Sequence, residues 1–91
     1  MLAKEIRFNY SKKSAKFFHK HEDIRDRFKA DFERVMVGEH PGKVDYKRLK
    51  GRFKGYYRIR IGDYRVIFTF VNGEVIIVSV LDAGSRGDIY K

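Results

Sequence analysis

From residue 4 the chain alternates apolar and polar positions. In KEIRFNY, residues 4–10, Ile6, Phe8 and Tyr10 fall on one side, the period of two expected of a half-buried strand. The period then lengthens. Ser11 suits a helix N-cap and predicts a short helix over 12–20, with Ala15 and Phe18 turned inward. A second helix follows, because Ile24, Phe28, Phe32, Val35 and Met36 recur at helical spacing with charges on the other faces, and Gly38 stops it. Residues 38–47, GEHPGKVDYK, hold the only proline and two glycines and predict a loop.

After Gly55 the period returns to two. Tyr57, Ile59 and Ile61 alternate with Tyr56, Arg58 and Arg60, and Tyr64, Val66, Phe68 and Phe70 alternate with Arg65, Ile67 and Thr69. Gly62-Asp63 between them predicts a tight hairpin with glycine first in a II′-type turn, which sets Ile61 opposite Tyr64 and Arg60 opposite Arg65. Asn72-Gly73 signals a second two-residue turn, with VIIVSVL returning as a third strand. In that register Val71 faces Glu74, Phe68 faces Ile77 and Val66 faces Ser79. One face then gathers Val75, Ile77 and Leu81 with the apolar hairpin positions, and the other carries Arg58, Arg60 and Arg65 beside Ile67, Val78 and Val80. The prediction is an α+β domain over residues 1–91, a two-helix hairpin covering one face of a twisted antiparallel sheet and the arginines on the uncovered side.

Ninety-one residues allow one domain, and the 14 Phe and Tyr side chains supply a core without staples. There is no cysteine, which excludes disulfides and thiolate chemistry. MLAKEIRFNY is charged by its fourth residue and lacks a signal-peptide apolar stretch, and no run reaches membrane-spanning length, so the expectation is a cytoplasmic protein with no membrane association. Net charge is +9, and residues 47–65 alone carry eight basic side chains against one acid, Asp63. Lys47, Arg48, Lys50, Arg52 and Lys54 interleave with aromatics up to Tyr56, a pattern that suits a polyphosphate surface and equally a solubilising charged face.

The candidate chemistry is narrow. His19 and His21 lie near the helix junction and His40 in the loop, without the partners of a metal site; no metal and no cofactor is expected. GRFKG, 51–55, lacks the Gly-Lys-Ser/Thr of a phosphate-cradling loop. The arginines break a local rule instead, since like charges facing across a ladder repel, and such violations mark functional sites. Three guanidiniums on one face can grip a phosphate by paired hydrogen bonds. The tail DAGSRGDIYK leaves the sheet near Tyr64 and Arg65, so Arg86 and Tyr90 are placed to join them.

The order of strand, two helices, then Leu49-Lys50-Gly51, YRIRIGDYRVIF and the closing Arg86 with Ile89-Tyr90 resembles the RelE/ParE toxin superfamily of toxin–antitoxin pairs, across nearly the whole chain. The resemblance implies a microbial-ribonuclease-like fold. RelE-type members cut messenger RNA in the ribosomal A site, and ParE-type members poison DNA gyrase. Carried over, the RelE-type catalytic set is Arg58, Arg60, Arg65, Arg86 and Tyr90, with Lys47, Arg48, Lys50, Arg52, Lys54 and Tyr56 toward RNA. The implied reaction is metal-independent attack of a ribose 2′-hydroxyl on the adjacent phosphate. The implied partners are ribosome, message and a cognate acidic antitoxin in a hetero-oligomer. Alternatives are a ParE-like gyrase inhibitor and a non-toxic member that binds antitoxin or RNA. Arg58 and Arg60 stand where well-known RelE proteins have lysine, and arginine is a poor proton acceptor.

Overall fold

The computed structural model describes residues 4–38 and 44–85. The alternation at the start of the chain becomes β1 (Ile6–Tyr10), followed by α1 (Lys12–Lys20) and α2 (Glu22–Met36). Ser11 caps α1, its Oγ accepting from the Ser14 backbone N–H at 3.1 Å and so satisfying one of the first-turn donors. Ser14 rather than Ala15 takes the inner position beside Phe18, and Ala15 is exposed. A buried serine is tolerated here because its hydroxyl donates to the Ser11 carbonyl at 3.0 Å.

The remaining elements are β2 (Asp45–Arg48), a single 3₁₀ turn at Gly51–Phe53, β3 (Tyr57–Ile61), β4 (Tyr64–Asn72) and β5 (Ile76–Ser85). They form one sheet in the order β1-β5-β4-β3-β2. Every neighbouring pair is antiparallel except β1–β5, which is parallel, so the sheet is mixed. A parallel pair needs a long crossover, and here the whole two-helix segment lies between β1 and β5 in the chain.

Both helices pack on one face. Phe28 and Phe32 of α2 are wholly buried, and each meets Phe8 of β1 edge-on at 6.0 Å and Phe68 of β4 at 5.3 and 5.7 Å. Each ring contributes roughly 1.5–3 kcal/mol by leaving water, with a further increment from edge-to-face geometry. The layer is completed by Phe18, Ile59, Ile61, Val66, Ile76, Val78 and Val80. Among the described residues no helix is long and apolar enough to cross a membrane.

The first hairpin forms in the expected register: Ile61 pairs with Tyr64, Arg60 with Arg65 and Arg58 with Ile67, around Gly62 at φ 60°. Three other expectations need correction. Residues 45–47, expected in a loop, form the edge strand β2 together with Arg48. Its side chains are all exposed, so no apolar period announced it; it is held by pairing with β3 and by Tyr46 stacking on Tyr57 at 5.6 Å.

The second hairpin does not turn on two residues. Asn72 pairs with Ile76 and Phe68 with Val80, a register three residues away from the expected one. An odd shift exchanges the faces of the whole strand. Val78 and Val80 therefore lie in the core, and Ile77 and Leu81 are exposed on the arginine side. Finally, the strand does not stop at Leu81. A bulge between Val80 and Asp82 lets pairing continue to Ser85. Without that extra residue the ladder would set Asp82 opposite Val66, facing the aromatic core; with it Ala83 takes that place.

Phe68 touches both α2 rings and Tyr57 of β3. Phe68→Ala is expected to lower unfolding free energy by about 3–5 kcal/mol, a large part of the ~5–15 kcal/mol of a typical domain. Urea titration followed by circular dichroism measures it; a loss below about 1 kcal/mol would show that the helices are not anchored through this ring.

Candidate functional site

Cross-strand pairing sets Asp45, Arg60, Arg65 and Gly84 in one row across four strands, and Lys47, Arg58, Ile67 and Asp82 in the next. Both rows lie on the face away from the helices, since the alternate residues Ile59, Ile61, Val66 and Phe68 fill the helix-side core. The three arginines are thus brought together. They are not equally open: Arg65 is 6% exposed and Arg58 is half-buried, whereas half of the Arg60 side chain reaches solvent. Ile67 on this face is wholly buried rather than available to a partner.

The repulsion expected from the hairpin is relieved by a residue the sequence reading did not single out. Asp45 of β2 accepts from Arg58 Nη2 at 2.8 Å through Oδ1, and its Oδ2 lies 3.4 Å from Arg60 Nε. One carboxylate therefore holds two guanidiniums over the sheet, with each of its oxygens committed to a different arginine. The buried Nε of Arg58 finds no acceptor among the described residues, leaving a donor unused within the cluster. Asp45 carried no signal in the sequence because its register is set by β2, most of which lay inside the expected loop.

The basic residues before the hairpin divide. Lys47 pairs with Arg58 and shares its face, but Arg48 pairs with Tyr57 and belongs to the opposite one. Lys50, Arg52 and Lys54 are exposed along the connection into β3, and the Arg52 guanidinium lies 5.2 Å over the Phe53 ring. Tyr56 is half-buried and borders a shallow groove of about 250 Å³ with Asn9, Ser79 and Leu81. Thr69 Oγ1 donates to the Gly55 carbonyl at 3.0 Å and fixes the entry to this strand. Arg86 and Tyr90 lie outside the described residues; Ser85, the last before them, pairs with Tyr64. Neither His19 nor His21 is in these rows, and the described residues contain no group of three or more metal-ligating side chains.

Such a surface can bind an anion by charge-assisted hydrogen bonds and stabilise charge that develops on it. Comparison with known proteins gives it a context. Residues 3–87 match the family model described as ParE toxin of type II toxin–antitoxin system, parDE. No curated protein gives a significant sequence match. Among solved structures, the chain is similar to the RelB–RelE antitoxin–toxin complex from Methanococcus jannaschii, at 34% identity over 90% of this chain and 94% of that one, with a TM-score of 0.56. It shares its fold with YafQ from E. coli at 15% identity, 96% and 100% coverage and a TM-score of 0.65. The same is true of a YoeB/ParE toxin from Agrobacterium tumefaciens, at 13% identity, 88% and 98% coverage and a TM-score of 0.60.

If Asp45 occupies the position an anionic ligand would take, Asp45→Asn should strengthen binding of a short single-stranded oligonucleotide several-fold at low salt and steepen its salt dependence. Stability should change by about 1 kcal/mol, because Asp45 is half exposed and solvent screens its side of the pair. Fluorescence anisotropy over a salt series and urea denaturation measure both; weaker binding by the variant would show that the carboxylate organises the arginines rather than competing for them.

Proposed function

The chain belongs to the ParE toxin family of type II toxin–antitoxin systems, within the RelE/ParE superfamily, and from that premise we propose that it is a cytoplasmic, ribosome-dependent endoribonuclease. The observation that carries this reading is the gathering of Arg58, Arg60 and Arg65 on the helix-free face, the first two sharing a single carboxylate. A surface built only for solubility would separate these charges rather than set Arg60 against Arg65.

In the proposed reaction a ribose 2′-oxygen bonds to the adjacent phosphorus while the bond to the 5′-oxygen of the next nucleotide breaks. The products are a 2′,3′-cyclic phosphate and a free 5′-hydroxyl, and the 2′ proton leaves to a base as the departing oxygen gains one. The pentavalent state carries more charge on its equatorial oxygens than the diester does. Fixed guanidiniums favour it over the ground state. Arg60, the most open of the three, and Arg65, opposite it, take that role, with Arg86 as a further cation and Tyr90 stacking on a base or contacting the phosphate. A guanidinium is a poor proton acceptor, so catalysis rests on charge stabilisation and in-line positioning more than on a strong protein base.

The cognate partner is an acidic, amphipathic antitoxin segment. Val71, Ile77 and Leu81, exposed on the arginine side, supply the apolar contacts, and the basic rows supply the charge. A second reading, favoured by the ParE description of the matching family model, is inhibition of DNA gyrase.

Purified toxin added to ribosomes carrying a defined message should cut it, and Arg60→Ala or Arg65→Ala, each checked for folding by circular dichroism, should slow cleavage by about 10²–10³-fold. Retention of full activity by both variants would reject their assignment. Gyrase-linked DNA breaks in a supercoiling assay, with the message intact, would establish the second reading instead.

A further inference from the structure

A second basic surface lies apart from the arginine rows. The cleft between α1 and the end of β5 has a volume of about 590 Å³. Three lysines of one helix, Lys13, Lys16 and Lys20, line one wall, and the strand residues Ala83, Gly84 and Ser85 line the other. The spacing explains the cluster: positions 13, 16 and 20 recur at three and four residues and fall on one side of α1. Like charges so placed repel, and only Lys13 has a carboxylate partner among the described ion pairs, Asp82 at 3.2 Å.

The floor of the cleft is aromatic. Phe17 and His21 stack at 4.4 Å with their planes 23° apart, and Tyr64 closes against both, 5.4 Å from Phe17 and 5.0 Å from His21. Cations around an aromatic floor are the two halves of a single-strand nucleic-acid site, one half for the phosphates and the other for a base. Lysine ammonium groups act there as point charges that follow a flexible backbone, where the arginines opposite suit one fixed phosphate.

The cleft adjoins the arginine rows along the chain, although it lies on the helix side of the sheet and they lie on the other. Tyr64 lines it and directly precedes Arg65 on β4, and Gly84 lines it while pairing with Arg65 across the ladder. The Tyr64–Ser85 pair is the last of the β4–β5 ladder, so the two surfaces meet around that end of the sheet. We propose that the cleft is a second subsite for single-stranded RNA: a nucleotide flanking the one held on Arg60 and Arg65 lays its base on the Phe17–His21–Tyr64 floor and its phosphates along Lys16 and Lys20. The identity of the polymer rests on the ribonuclease reading above; the subsite itself rests on the cleft.

The test uses a labelled 2′-O-methyl RNA oligonucleotide, which cannot undergo 2′-hydroxyl attack, in fluorescence anisotropy over a salt series with the full chain. Lys16→Ala/Lys20→Ala should weaken binding about tenfold at low salt and lower the slope of log affinity against log salt by about 1.4, two phosphates' worth for a single strand. His21→Ala should weaken binding about tenfold, His21→Phe should restore it, and an abasic phosphodiester of the same length should not distinguish the three. An unchanged slope in the double-lysine variant overturns the proposal, as does a poly-glutamate peptide that binds through these lysines where RNA does not. If Arg60→Ala loses RNA binding while the lysine variant keeps it, the ribonuclease reading stands and the subsite falls. Lysine-dependent RNA binding by a protein that cuts no ribosome-bound message leaves the subsite standing and the ribonuclease reading refuted.

Discussion

The turn at Gly62 and Asp63 sets the register on which both faces of the molecule depend. Glycine at φ 60° lets the chain reverse in two residues without a side-chain clash. That choice sends Ile59, Ile61, Val66 and Phe68 to the helices and Arg58, Arg60 and Arg65 to the other side. A slip by one residue would drive three guanidiniums into an aromatic core, at a cost no pairing could offset. The aromatic layer and the arginine rows are therefore one decision read from two sides. The energy that fixes the arginines is the burial of Phe28, Phe32 and Phe68 behind them.

What was legible in the sequence followed periods that only one structure satisfies. The helical spacing of Ile24, Phe28 and Phe32 admits no strand, and the alternation around Gly62 admits no helix. Where both faces of a segment are apolar, the period says nothing about register. In IIVSV, residues 76–80, four of the five side chains suit a core, and Asn72-Gly73 supplied a turn signal that the chain does not use as a two-residue loop. Ser79 was the available clue. The expected register paired it with Val66 in the core, and the observed one leaves it exposed, with Val78 and Val80 inside. A hydroxyl without a partner among phenylalanines is a heavier penalty than an exposed isoleucine.

The candidate site was half legible for a related reason. The arginines announced themselves by breaking a pairing rule, but the residue that makes the violation tolerable is 13 positions upstream of Arg58, in an edge strand with no buried side chain. Sequence alone shows a conflict between neighbours; its resolution here is tertiary. Arg48 shows the converse. It belongs to the same basic run as Lys47, yet the alternation of β2 puts the two on opposite faces. Density of charge along a chain thus overstates density of charge on a surface by about the factor of two that a strand imposes.

A carboxylate shared by two arginines also bears on how such a surface stays both folded and available. Unpaired, Arg58, Arg60 and Arg65 would repel one another through a part of the sheet where Arg65 is nearly excluded from water, and screening there is weak. Asp45 offsets this repulsion, yet it is itself half exposed and sits on the edge strand, where its hold on the guanidiniums is modest. A phosphodiester carries one negative charge over two oxygens, as the carboxylate does, and can take its place between the guanidiniums without separating the arginines. An acidic antitoxin side chain can make the same exchange. On this argument one weak internal ion pair keeps the resting surface compact, and the two ligands proposed for it compete for the same vacated donors.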